Sequence, residues 1–378
     1  MLSDSVLGII GGGQLGRMLA MEARRMNIRT VVWTGGLESP AREIADDVVD
    51  LPFDDPLGLE EFCKKATVAT VEFENIPADV LESVDQRISL NPSPKAVSIC
   101  QNRLREKQFL GEAEIPCTPY ALVESATDLE LAIKSLGEGV LKTADFGYDG
   151  HGQIRIRGGE DAQVVWDAFE SDKAVYEQWV PFEKEVSVMV ARGADGEMVS
   201  YDVSENGHRN HILDVSAVPA QVDDSVAAKA RDLAGQIADA LDYCGIMGVE
   251  FFVKPGGELL VNEMAPRPHN SGHYTMDACE TSQFEQQLRA VMGLPLGSTK
   301  LLSPVVMLNL LGDMWLDAAT APDWSPLFAD GSASLHLYGK AQAKGRRKMG
   351  HANFLGASVD DAMQRALVLK DAWLKSEV

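Results

Sequence analysis

Residues 248–267 read GVEFFVKPGGELLVNEMAPR. Two apolar runs flank PGGE at 255–258, and the pattern predicts a β-hairpin. Centring the turn between Gly256 and Gly257 sets Glu250 opposite Glu263. Directly opposed residues on one face of a sheet have side chains about 4.5–5.5 Å apart. Two carboxylates at that range repel. Magnesium, a hard cation that takes carboxylate oxygens together with substrate phosphates, relieves the conflict. Asn262 alternates to the other face but borders the pair, and its amide oxygen joins if the strand end twists. The alternative is an acidic hairpin splayed into water. Val249, Phe251 and Phe252 argue for a buried strand, where unpaired charge is costly.

Upstream, GVLKT (139–143) and QIRIR (153–157) read as strands separated by FGYDGHG (146–152). This loop is no Walker motif, because it lacks GK[ST] and no helix follows. Its glycines, Gly147, Gly150 and Gly152, suit a loop that folds over phosphates and offers backbone N–H groups; an ordinary hairpin is the other reading. Lys142, in an apolar run just before the loop, reads as a lysine aimed at phosphate. AVYEQWV (174–180) and KEVSVMV (184–190) are further strands. Gln178–Val180 can present a backbone donor and acceptor to an adenine base, and Glu185 can accept from ribose hydroxyls. A helix is expected over 225–242 and a closing helix over 356–374.

At the amino end, VLGII (6–10), a helix over 14–26, RTVVW (29–33) and VATVEFENI (68–76) alternate as in a parallel α/β layer. A helix from Arg103 to Gly111 is broken by IPCTPY (115–120), which marks a domain boundary. Gly11, Gly13 and Gly16 match the dinucleotide fingerprint. That fingerprint also expects an acidic residue closing the second strand, yet Trp33-Thr34-Gly35-Gly36 carries none before Glu38, which weakens a nicotinamide reading. The glycine turn at a helix start can still hold another phosphate, such as that of a ribonucleotide substrate.

The chain has 378 residues, 45% of them apolar, enough for two or three domains. A net charge of -23 repels phosphate backbones, so nucleic acid is an unexpected partner. The cluster KGRRK (344–348) then stands out as a local anion site. No run approaches the roughly 18 apolar residues of a membrane span, and the start lacks a signal-peptide pattern. Five scattered cysteines fit reduced thiols and a cytoplasmic location.

The strings GGGQLGRM (11–18), EFENIP (72–77), NRLREKQFL (102–110), FGYDGHGQ (146–153), EQWVPFEKEVSV (177–188), NGHRNHIL (206–213), NEMAPRPHNSGHYTMDAC (262–279) and YGKAQAKGRRKMGH (338–351) together resemble the ATP-grasp superfamily. Within it they resemble the 5-(carboxyamino)imidazole ribonucleotide synthases of purine biosynthesis. The resemblance implies mixed α/β and α+β architecture: a parallel pre-ATP-grasp domain (1–102), a lid carrying the glycine loop (103–180) and a catalytic domain (181–378). It implies ATP contacts at Arg103, Lys142, Gly147, Tyr148, Asp149, Gly150, His151, Gly152, Gln153, Glu177, Gln178, Trp179, Val180, Glu185, His208, Asn262 and Glu263. Magnesium would sit on Glu250 and Glu263. The ribonucleotide would meet Gly13, Gln14, Leu15, Glu74, Tyr148 and Asp149, with its phosphate on Lys340, Arg347 and Lys348. Arg267, His269, Asp149 and Lys142 would serve catalysis, with bicarbonate beside Arg267 and His269, and the protein would be a homodimer. Two departures from the family pattern are Lys344-Gly345-Arg346 where Arg-Pro-Gly is usual, and Thr34 where the second strand commonly ends in aspartate. The alternatives are another ATP-grasp ribonucleotide ligase, such as a formate-using glycinamide ribonucleotide transformylase, a Rossmann NAD(P) dehydrogenase, or a non-catalytic nucleotide-binding regulator.

Overall fold

The VLGII run folds as expected into β1 (Val6–Ile10), and the Gln14–Arg25 helix follows it. This is a computed structural model, which describes residues 4–145 and 152–374. With β2 (Arg29–Trp33), β3 (Asp47–Val49), β4 (Val68–Val71) and β5 (Ser89–Leu90), β1 forms an all-parallel sheet in the order β3-β2-β1-β4-β5. Parallel strands are covered on both faces. Leu7 and Ile9 point to one apolar cluster, and Val31, Trp33 and Val71 to the other. The strand expected over 68–76 stops at Val71. The next residue, Glu72, keeps its amide on Ile10 O of β1 at 3.0 Å and turns its carboxylate into the start of the first helix.

The Arg103–Glu112 helix opens on Asn102, whose side chain accepts from the Arg105 amide at 3.0 Å. A second sheet follows, antiparallel, from β6 (Tyr120–Val123), β7 (Gly139–Thr143), β8 (Gln153–Ile156) and β9 (Ala174–Gln178), ordered β6-β9-β7-β8. β9 ends at Gln178, two residues earlier than its apolar run suggests.

The largest sheet contains β10 (Lys184–Arg192), β11 (Met198–Ser200), β12 (Ser204–Arg209), β13 (Ile212–Val218), β14 (Gly245–Val253), β15 (Leu259–Ala265), β16 (Val305–Leu311), β17 (Ala333–Leu337) and β18 (Lys348–Leu355). Its order is β15-β14-β10-β12-β13-β16-β18-β17, with β11 beside β10. The Asp224–Ala240 helix buries Ala230, Leu233 and Ile237 against Val188, Val249 and Val261 of this sheet. The chain closes with the Val359–Leu374 helix packed on β16 and β18. No helix among the described residues is long and apolar enough to cross a membrane.

One helix, Gln283–Val291, braces the parallel sheet against the largest one. Phe284, Leu288 and Val291 enter the cluster of the first helix. Gln287, fully buried, donates to Thr70 Oγ1 of β4 at 2.7 Å and accepts from the Ile246 amide of β14 at 2.6 Å. Replacing Gln287 with Leu keeps the volume but orphans both partners. Buried unsatisfied groups cost about 1–3 kcal/mol each, so Gln287→Leu should lower the thermal unfolding midpoint well below wild type; an unchanged midpoint would refute the brace.

Candidate active site

The hairpin pairs Glu250 with Glu263, but not by the route the turn suggested. The Lys254 amide donates to Glu258 O at 2.8 Å, so the turn is centred on Gly256 rather than between the two glycines. Carried inward, that register would put Asn262 opposite Glu250. A bulge between Phe251 and Glu250 on the paired ladder shifts the register by one residue and restores the carboxylate pair. The bulge also corrects the expected orientation of Asn262. Leu259, Val261 and Met264 all enter the core, so the two consecutive residues between Val261 and Met264, Asn262 and Glu263, both turn away from it.

On that outer face the sheet carries a polar row. Ser187 of β10 lies opposite Glu250, and Glu185 lies opposite Asn206 of β12. Asn206 donates to Ser187 Oγ at 3.0 Å, and Ser187 to Ser271 Oγ at 2.7 Å. His208 Nδ1 lies 2.7 Å from Glu185. Burial works against a charged His208 ring, yet the Glu185 carboxylate lifts its pKa above the ordinary value. His269 Nε2 lies 3.5 Å from Glu250 and its Nδ1 2.9 Å from Ser271 Oγ. Burial and the nearby Arg267 and Lys348 charges push the His269 ring well below its usual pKa, leaving it neutral. Burial and the Glu263 charge push Glu250 up to about 7. This is the charge conflict a divalent cation resolves, and the donor set, two carboxylates with an amide oxygen alongside, fits a hard ion. Among the described residues no three such acidic, imidazole or thiol groups converge on one point.

The second sheet and the Arg103–Glu112 helix bring cations to the same place. Lys142 Nζ donates to Glu177 at 2.8 Å, and the fully buried Lys107 lies 3.6 Å from the other oxygen of Glu177. Burial disfavours the Glu177 carboxylate, but Lys107, Lys142 and Arg103 together hold it at about 2. The Glu177 side chain is therefore a counter-ion for the lysines. Arg103 Nη1 sits 3.8 Å from Glu263. Glu106, also buried, is pushed up to about 8 by burial and by Glu263, against the pull of Lys107. Glu106 and Lys107 were passed over in the sequence; their spacing of three and four residues from Arg103 on one helix face is the signal that marks them.

Of the expected adenine segment, the Gln178 and Trp179 amides are taken by Pro119 O (2.9 Å) and Glu138 O (2.7 Å). The Val180 amide makes no hydrogen bond among the described residues. The Trp179 ring lies under Arg155, 3.6 Å away. Gln153 pairs with Lys142 across β7 and β8, and Gly152, at φ +68°, accepts from the Thr143 amide. Gly147, Tyr148, Asp149, Gly150 and His151 lie outside the described residues.

The parallel domain contributes Glu74, which receives the Arg267 guanidinium on both oxygens, Nη2 at 2.9 Å. Burial opposes it, but Arg267 keeps Glu74 below the ordinary carboxylate range. The two residues, assigned to separate substrates in the sequence, are thus one ion pair. The glycine turn departs further from expectation. Glu72 accepts from the amides of Gly13 (2.7 Å) and Gly16 (3.0 Å), so the helix start holds a carboxylate of the chain itself where a phosphate was expected. Leu15 buries its side chain in the core, while Gln14 remains partly exposed. Opposite this turn, burial, Arg347 and Lys348 depress Lys340 to about 8. Arg347 reaches Glu38 at 2.6 Å, which removes the carboxylate a nicotinamide ribose would need. Arg346, in the altered KGR segment, adopts φ 67° and donates to Asn210 O. Thr34 donates to Asp50 at 2.6 Å. Arg17, unmarked in the sequence, joins the basic group: a side chain on Gly339 would come within 3.2 Å of its guanidinium.

A carboxylate pair on a central sheet, faced by a lysine from a small antiparallel sheet and flanked by a parallel domain, defines an ATP-grasp enzyme. The ATP-grasp domain model matches residues 108–284, the ribonucleotide synthetase preATP-grasp domain 5–101, and the phosphoribosylaminoimidazole carboxylase C-terminal domain 305–365. The chain is 43% identical to the N5-carboxyaminoimidazole ribonucleotide synthase of Brucella melitensis, over 92% of this chain and 95% of that one. A crystal structure of the ADP complex of an N5-carboxyaminoimidazole ribonucleotide synthetase superposes with a TM-score of 0.91 at 40% identity, covering 98% and 97% of the two chains. The N5-carboxyaminoimidazole synthase of Aspergillus clavatus, in complex with ADP and 5-aminoimidazole ribonucleotide, gives 0.88 at 31% identity over 99% and 100%. The chain belongs to the N5-carboxyaminoimidazole ribonucleotide synthase family of ATP-dependent ligases. The dehydrogenase, transformylase and regulator alternatives fall with that finding.

The Glu250 proton gives a pH signature. The folded protein holds it up to about 7, whereas the unfolded chain releases it in the ordinary carboxylate range. The folded state thus binds the extra proton, and metal-free stability should fall as pH rises from that range through about 7. Thermal midpoints in chelator across this window should show the decline, and Glu250→Gln should flatten it; an equal slope in the variant would remove the charge conflict.

Proposed function

We propose that this protein carboxylates 5-aminoimidazole ribonucleotide with bicarbonate at the expense of ATP, in purine (IMP) biosynthesis. The products are 5-carboxyaminoimidazole ribonucleotide, ADP and phosphate. The observation that carries the reading is the convergence of the Glu250–Glu263 pair, the Lys142–Glu177 pair and the Arg267–Glu74 pair. They belong to the largest sheet, the second sheet and the edge of the parallel domain, so a triphosphate, bicarbonate and a ribonucleotide can meet at their junction.

A bicarbonate oxygen attacks the γ-phosphorus of ATP, the bond to ADP breaks, and carboxyphosphate forms. The exocyclic amine then takes the carboxyl carbon, directly or after release of trapped CO₂, and phosphate leaves. Catalysis here is positioning and charge neutralisation. Lys142, whose pKa burial lowers while Glu177 opposes the drop, meets the phosphates. Arg267, oriented by Glu74, faces bicarbonate and the mixed anhydride. His269, neutral and 3.5 Å from Glu250, takes the amine proton; Asp149 is the other candidate. Magnesium held by Glu250 and Glu263, with Asn262 beside them, would neutralise phosphate charge. Val180 meets adenine, Glu185 and His208 the ribose side, and Gly147 to Gln153 cover the phosphates. Gln14 faces the ribonucleotide, and Lys340, Arg347 and Lys348 take its phosphate. Residues 1–102, 103–180 and 181–378 act as substrate, lid and catalytic domains of a cytoplasmic homodimer.

ADP release should require aminoimidazole ribonucleotide and bicarbonate together. Stimulation by glycinamide ribonucleotide with formate instead would overturn the assignment. Glu263→Gln should cut kcat by at least about a hundredfold, the scale of losing a main electrostatic stabiliser; near wild-type turnover would remove the metal role.

A further inference from the structure

The glycine fingerprint is the one motif the proposed reaction leaves without a task, and Glu72 explains it. The residue is 8% exposed and spends one oxygen on each of the Gly13 and Gly16 amides. The glycines fit this carboxylate. A side chain at Gly13 would come within 2.6 Å of Glu72 Oε1, and one at Gly11 within 2.4 Å of its Cγ. Arg267 and Lys340 both favour the charged form of Glu72, against burial. A helix start presents free N–H groups and a partial positive charge, and whichever anion arrives first satisfies both.

We propose that Glu72 is a positioning and specificity-determining residue for the ribonucleotide. As the resident anion of the glycine turn, it closes that turn to phosphate and directs the substrate's phosphate to the basic group of Lys340, Arg347 and Lys348. It also fixes the start of the first helix, and with it the presentation of Gln14. The inference rests on the ribonucleotide reading of this site. It differs from the dinucleotide use of the same spacing in the identity of the anion: here it is covalently part of the chain.

The test compares wild type with Glu72→Ala and Glu72→Gln. Glu72→Ala should raise KM for aminoimidazole ribonucleotide about tenfold, a loss of about 1.4 kcal/mol, while KM for ATP stays near wild type. It should also bind one more inorganic phosphate per chain than wild type by titration calorimetry. Glu72→Gln, nearly isosteric, sets an amide NH₂ against a backbone N–H and should show the same KM split if the alanine variant fails to fold. An unchanged ribonucleotide KM with unchanged phosphate stoichiometry would overturn the proposal. So would a parallel rise in both KM values, which marks a merely structural role. If the wild-type enzyme itself ignores aminoimidazole ribonucleotide, the proposed reaction fails, and phosphate stoichiometry still decides the role of Glu72.

Discussion

Two carboxylates forced to face each other across a hairpin set the condition the rest of the molecule answers. Glu250 and Glu263 are held in register by a ladder whose other face is core, with Val249, Phe251, Val261 and Met264 buried against the Asp224–Ala240 helix. A slip of one residue would send those apolar side chains to the polar face. The hydrophobic core therefore keeps an unfavourable pair together, and the repulsion is available to be relieved by a bound cation.

Around that pair the charges are arranged in alternation. Glu177 serves Lys107 and Lys142, Arg103 serves Glu263, and Glu74 serves Arg267. Burying any one of these groups alone would cost several kcal/mol, roughly the penalty of an unpaired interior ion. Pairing offsets the burial of each charge, and the partners come from the second sheet, the Arg103–Glu112 helix, the largest sheet and the edge of the parallel domain.

Much of this was legible in the sequence, for definite reasons. Opposed carboxylates announce themselves when a glycine turn lies between two apolar runs, and Lys142 is conspicuous in an otherwise apolar strand. The pairing of Glu250 with Glu263 was read correctly from an incorrect turn centre, because a bulge at Asn262 cancelled the error. The signal for the bulge was present: the inward apolar positions Leu259, Val261 and Met264 break the period of two. What could not be read was which charge meets which. Glu72 and Glu74 sit two residues apart past one strand end, yet one caps the first helix of its own domain and the other reaches Arg267, and only the three-dimensional packing decides this. The glycine fingerprint misled for the same reason, since spacing reports room for an anion and not its source.

The Arg267–Glu74 contact has a consequence for selectivity. Its guanidinium is largely shielded by its protein neighbours, with 18% of the side chain exposed, so an oxyanion binding there would have little of its water left to displace. Discrimination between similar small anions at this point then depends on shape and on how many fork hydrogens each can engage, and little on how tightly each holds its hydration shell. A planar, two-oxygen anion matches that fork better than a spherical halide of equal charge.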